Sequence, residues 1–280
     1  MNPIRTVVII GGDEFASAIA IYLFRSRIPV ILRVHSLAVA LRRPLCFNEA
    51  VFAGKKMIAD VNASLVSPEA SRDSASFSYN EFLEKTIRTH LLDRIIPCIV
   101  EEDLHRVMAI FHPSIIILTE KERVPGIDLS SAKLIIGLYP YHHPGKDCHL
   151  SVETRLNYYL GQVYQQAPEE YPDLDIRFFK SPFQEVFSPL EGVFLAYKEI
   201  GQSIKQNEPF GVVNHIEIRS PYGGQIWGLF HSGRMIHPKQ ALALVYTGPS
   251  GNEYLDFDYR HRVIAGAVLR EVLSAFSLSF

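Results

Sequence analysis

Three short segments of this chain carry residues that could do chemistry. The richest is Tyr139-Pro140-Tyr141-His142-His143-Pro144-Gly145-Lys146-Asp147-Cys148-His149, with Glu153 four residues further on. Histidine and carboxylate at i, i+4 share one face of a helix and can relay a proton or hold a metal. The spacing matches no established metal signature, so a helix-capping Asp147 and an ordinary His–Glu pair are the favoured account, and no metal is expected. The second segment is Gly11-Gly12-Asp13, a turn between an apolar run and a helical pattern. Glycines there let backbone approach a pyrophosphate at a helix N-terminus. Asp13, however, puts bulk and negative charge where a phosphate would sit, and Arg33 and His35, not an acid, end the next strand. The third is Arg42-Arg43, a pair able to clamp phosphate or carboxylate, or simply to stand solvated on a surface.

Nothing else offers a nucleophile: GxSxG, P-loop and HExxH patterns are absent. Trp227 and the tyrosines at 158, 159 and 164 read as packing residues.

Elements must position these groups. Residues 6–10 form a β-branched run typical of a buried parallel strand, residues 14–25 repeat at helical spacing, and 29–34 form a second strand. This βαβ opening implies a parallel sheet. Further strands are expected at 58–66, 96–100, 114–118 and 133–138, and helices at 79–93, 103–111 and 149–165. The last of these would carry His149 and Glu153. Residues 69–78 read as a polar loop.

Residues 188–213 and 220–245 are one segment written twice, aligned without a gap at an offset of 32 residues. Ser188-Pro189 falls on Ser220-Pro221, Gly192 on Gly224, Gly201 on Gly233 and Val213 on Val245. A period of this size marks a repeated supersecondary unit, and two such units must pack together to bury their apolar faces. The pattern is that of a barrel-sandwich hybrid, the fold of biotinyl and lipoyl carriers. The joint, residues 213–219, has no lysine, so neither biotin nor lipoate is expected.

The fold class expected is therefore α/β: a Rossmann-like parallel-sheet domain (1–165), a linker (166–182), a small all-β barrel-sandwich hybrid (183–256) and a C-terminal helix (257–280). Composition agrees with a globular protein, 48% hydrophobic and 21% charged. A net charge of −2 gives no reason to expect nucleic acid or an anionic membrane as partner. Three widely spaced cysteines fit a reducing compartment, and the opening residues do not read as a signal peptide, so a cytoplasmic location is expected.

These pieces in this order resemble the accessory proteins of the selenium-dependent molybdenum hydroxylase system, related in role to xanthine dehydrogenase accessory factors. The resemblance runs through residues 11–20, then Ala40-Leu41-Arg42-Arg43 with Phe47, Glu49-Ala50-Val51 and Gly54. It continues through Ile135-Ile136-Gly137-Leu138, Pro140, Gly145, Asp147-Cys148-His149, Val152-Glu153-Thr154 and Leu160-Gly161, and ends with the duplicated segment and residues 264–273. It implies a helper in maturation of a molybdenum hydroxylase, more a binding protein than an enzyme. Its partner would be the client enzyme or another cofactor-maturation protein, and its ligand a molybdopterin-type cofactor rather than a nucleotide. The site it implies is Arg42, Arg43, Asp147, His149 and Glu153, to which the Gly-rich turn adds Gly11 and Gly12 as candidate cofactor-binding residues. The chain departs from the family at Asp13, at Tyr139 and Tyr141 (where glycines are expected), at 119–123 and at 242–247. Those departures leave two alternatives: a non-catalytic protein-binding scaffold, and a nucleotide-dependent enzyme with an altered Rossmann turn.

Overall fold

In the computed structural model, which describes residues 6–36, 40–67, 78–166 and 182–277, the β-branched run is strand β1 (Val7–Ile10), every residue of it buried. Helix α1 (Glu14–Arg25) follows, then β2 (Val30–Arg33), parallel to β1. The other elements of this first unit are α2 (Ala50–Ala53), β3 (Lys55–Ile58), β4 (Val61–Leu65), α3 (Tyr79–Leu92), β5 (Ile96–Ile99), α4 (Leu104–Phe111), β6 (Ile115–Leu118), β7 (Leu134–Tyr139), β8 (Leu150–Glu153) and β9 (Val163–Tyr164).

They form one nine-stranded sheet, ordered β3-β4-β5-β2-β1-β6-β7-β8-β9. The seven strands from β4 to β8 run parallel, and β3 and β9 are antiparallel edges. The chain winds outward from β1 in both directions, so the topological switch point lies between β1 and β6. Ligands of open α/β sheets bind at that point, beyond the strands' C-terminal ends. One layer of helices buries Leu83, Ile87, Leu104 and Val107 against Val8, Ile10, Ile116 and Ile135. On α1 lies the last helix, α5 (Tyr259–Ser277), where the Phe15 and His261 rings stack at 4.7 Å.

The expected helix over 149–165 is not formed. Residues 150–153 instead add β8 to the edge of β7, and the chain turns through Gly161 into β9. Val152 and Ser151 lie buried on opposite faces, as a strand covered on both sides requires. That burial outweighed the helical spacing.

The second unit holds Leu41, Arg42 and Arg43 together with residues 182–256. The collinear division expected from sequence is thus crossed twice, once by this segment and once by α5. Its strands are β10 (Phe183–Phe187), β11 (Gly192–Ala196), β12 (Ser203–Ile204), β13 (Pro209–Val213), β14 (Ile216–Arg219), β15 (Gly224–Leu229), β16 (Arg234–Ile236) and β17 (Ala241–Tyr246). They form two four-stranded antiparallel sheets, β10-β17-β15-β12 and β14-β13-β11-β16. Adding 32 turns β10, just before the first copy, into β14, just before the second, and then β11 into β15, β12 into β16 and β13 into β17. Each sheet therefore takes two strands from each copy, and the repeat exchanges one sheet for the other. Phe194, Phe210, Ile226, Ile236, Leu242 and Val245 meet between them.

The copies agree in detail. Ser188 Oγ donates to Leu190 O at 2.6 Å, and Ser220 Oγ to Tyr222 O at 2.7 Å. Gly192 and Gly224 hold φ of 152° and 154°, a backbone geometry that side-chain-bearing residues rarely adopt.

Candidate functional site

The turn after β1 is built shut. Gly11 has φ 136°, and a Cβ there would stand 1.9 Å from Thr119 Oγ1, which itself donates to Ile10 O at 3.1 Å. A Cβ on Gly12 would stand 2.5 Å from Asn48 Oδ1. The glycines admit neighbouring side chains of this protein, not a pyrophosphate. Asp13 is the N-cap of α1: its Oδ1 accepts from the Ala16 amide at 2.9 Å, and Ser17 Oγ donates to its carbonyl. Burial, then the neighbouring carboxylates Glu14 and Glu120, push the Asp13 carboxyl up to about 7. Glu120 is ion-paired with Arg33. The helix N-terminus that would meet a phosphate thus meets an internal acid among other acids.

Arg42 and Arg43 are engaged within the sandwich unit. The Arg42 guanidinium is buried over the rings of Trp227 and Phe183, at 5.6 and 5.8 Å, and donates to Asp256 O at 3.2 Å. Arg43 Nε donates to Leu229 O at 2.9 Å. A phosphate clamp needs both guanidinium forks turned to one ligand, and these two are not so arranged.

His149 and Glu153 lie on extended chain rather than a helix. Four residues of strand separate them by about 13 Å, too far to share a ligand. His149 Nδ1 accepts from the Ile135 amide at 2.9 Å, continuing the sheet's hydrogen bonds through a side chain. The fully buried Glu153 carboxylate accepts from Arg155 Nη2 at 2.8 Å, Arg155 Nε at 3.0 Å and the Tyr164 hydroxyl at 3.1 Å. Both residues serve the sheet edge.

Asp147 is different. Its Oδ1 accepts from the His143 amide at 2.7 Å, which fixes the loop after β7. Its Oδ2 faces Arg123 Nε at 3.6 Å and His142 Nδ1 at 3.7 Å, both beyond hydrogen-bonding reach. Asp147, His142, Arg123 and Lys146 line a cavity of about 310 Å³ beside the ends of β6 and β7. Of the residues expected to form a site, this cavity gathers only Asp147. Lys146 falls within the segment rich in chemical groups, whereas Arg123, a lone cation in a polar loop, carries no spacing signal in the sequence.

Burial and Asp147 push the neighbouring Cys148 thiol up to about 12, so it is no nucleophile at neutral pH. Among the described residues, no group of three or more His, Cys, Asp or Glu is placed to hold a metal ion, and no helix is long and apolar enough to cross a membrane.

No protein-family description matches the sequence. The uncharacterized protein YqeB of Escherichia coli (strain K12) is 23% identical over 274 residues, covering 96% of this chain and 47% of YqeB. The chain therefore spans about half the length of this curated relative. Among solved structures, the product-bound ectoine utilization protein EutE of Ruegeria pomeroyi overlays with a TM-score of 0.25 at 12% identity, covering 86% of this chain and 84% of that one. An aspartoacylase family protein of Mesorhizobium loti gives 0.25 at 11% identity, covering 86% and 85%. Overlays this loose carry no argument about fold or activity.

Proposed function

We propose that this chain is a divergent accessory protein in the maturation of a molybdenum-cofactor-dependent hydroxylase, acting in the cytoplasm by binding rather than by catalysis. The sequence resemblance suggests the system. The observation that carries the mode of action is the shut turn after β1, where Asp13, Thr119 and Asn48 fill the ground a dinucleotide would need. That filling argues against a nucleotide-dependent enzyme of Rossmann type.

The residues carried over from the family do not fit a molybdopterin-type ligand. Arg42, Arg43 and Glu153 spend their charged groups on the chain itself. The client enzyme is the better-supported partner. We read the sandwich as a barrel-sandwich hybrid without its carrier lysine, since its two copies intertwine strand by strand.

One observation favours a scaffold surface. Val193 pairs with Met235, and Leu195 lies two residues along the same strand, so one outer sheet face presents all three, each at least 41% exposed. Co-purification of the chain with a cofactor-free molybdenum hydroxylase tests the partner. A complex lost in Leu195→Asp/Met235→Asp supports this reading, and no complex in any cofactor state of the client refutes it.

A further inference from the structure

We infer that the open edge of β14 pairs with the β14 edge of a second copy of this chain, forming a twofold-symmetric dimer. β14 ends its sheet, with β13 on one side only. The backbone pairing shows which of its groups are left over. Asn214 and His215, at φ 48° and 69°, form a two-residue turn, so Val213 and Ile216 are a hydrogen-bonded pair. Pairing alternates along an antiparallel ladder, so Glu217 turns its N–H and C=O away from β13 and Ile218 turns its own inward. Ser220 also bonds inward: its amide donates to Glu208 O at 3.0 Å, and its carbonyl accepts from the Asn207 amide at 2.8 Å. Arg219, between two inward-bonding residues, therefore faces outward as Glu217 does. Among the described residues no strand covers this edge, and a space of about 440 Å³ opens beside it, lined by Glu185, Phe187, Glu217 and Arg219.

An open edge is a template for another strand, and most proteins spoil such edges with charge or shortness. Five of the six edges here are ill suited to self-pairing. β3 carries two lysines and no acid, and β9, β12 and β16 have two, two and three residues. β10 sets Phe187 two residues from Glu185, so self-pairing gives that acid no cation to meet. β14 is complementary to itself. Glu217 and Arg219 stand two residues apart on the outer face, opposite the buried Ile218. Antiparallel self-pairing about Ile218 sets Glu217 of each copy against Arg219 of the other. Both are outward-bonding residues, so each meeting joins two backbone hydrogen bonds to one ion pair.

The edge is prepared for this. Glu217 and Arg219 are ion-paired within one copy, and Arg219 Nη1 donates to Asn207 O at 2.8 Å. The guanidinium is thus held beside the edge, with Nε and the second Glu217 oxygen left for the other copy. Two four-residue strands bury well under the roughly 1,200 Å² of a stable interface, so the dimer is weak, with Kd on the order of 10–100 μM. The inference stands apart from the maturation reading, which uses the Val193, Leu195 and Met235 face instead.

Sedimentation equilibrium of the full chain from about 1 to 500 μM tests it. We expect a reversible monomer–dimer equilibrium that weakens about tenfold as salt rises from about 50 to 500 mM. Glu217→Arg and Arg219→Glu should each be monomeric, because each edge then carries one sign. Mixed in equal amounts they should form a heterodimer, since each now opposes the other's charge, a recovery that a merely structural role would not give. A parent that stays monomeric, a parent dimer indifferent to salt, single variants that still dimerise, or a mixture that stays monomeric would each overturn the inference.

Discussion

Asp13 Oδ1 accepts the Ala16 amide at 2.9 Å, so helix α1 is capped by an internal carboxylate at the place where a Rossmann fold receives phosphate. A residue that reads in sequence as a damaged fingerprint is, in the structure, a working N-cap. It is also an acid held near Glu14 and Glu120, and both facts have measurable consequences.

The first is a pH dependence. The folded Asp13 carboxyl is raised to about 7 from an ordinary value near 3.8. Between those values the native state holds a proton that the unfolded chain releases, so stability present at low pH is lost as pH rises toward 7. On the order of 2–4 kcal/mol is involved. Denaturant unfolding at pH steps from 4 to 8 should show this fall, and Asp13→Asn, which keeps an acceptor for Ala16, should flatten it. An unchanged slope in the variant would assign the titration elsewhere.

Gly11→Ala should be severe. The new methyl would meet Thr119 Oγ1 at 1.9 Å, at a φ of 136° that alanine resists. A loss of roughly 2–4 kcal/mol is expected by chemical denaturation. Thr119→Ala in the same chain should recover part of it, since it removes the clash and leaves the backbone strain. Full tolerance of Gly11→Ala would mean that the turn is open after all.

Glu153→Ala should cost about 3 kcal/mol, because it strips Arg155 and Tyr164 of a buried acceptor. Chemical denaturation measures the cost, and a variant as stable as the parent would contradict the buried pairing.

Arg42→Ala should lower the stability of the sandwich by about 1–3 kcal/mol, through lost stacking and a lost hydrogen bond. Trp227 is the chain's one tryptophan and lies against that guanidinium, so its fluorescence reports the change directly. A fluorescence melt identical to the parent's would contradict the stacking.

The regular elements were largely legible in the sequence. β1, α1 and β2 follow from a β-branched run, a helical spacing and a second apolar run, and the 32-residue offset announced two intertwined halves. What failed has physical causes. Residues 150–153 carry a spacing compatible with helix, but the open edge of β7 offered backbone partners that a helix could not match. Arg42 and Arg43 are adjacent in sequence, yet a buried aromatic pair and a strand carbonyl claim them separately. His142 and Arg123 are 19 positions apart and meet across Asp147 only because β6 and β7 are neighbours. No local spacing encodes that meeting.

The proposed role is service to a molybdenum hydroxylase by binding. Its most direct test is the activity and molybdenum content of a selenium-dependent molybdenum hydroxylase produced with and without this chain. Omission should lower both together, and the chain carrying Asp13→Asn should restore them fully, since no dinucleotide chemistry passes through that turn. Equal activity and molybdenum content with and without the chain would contradict it.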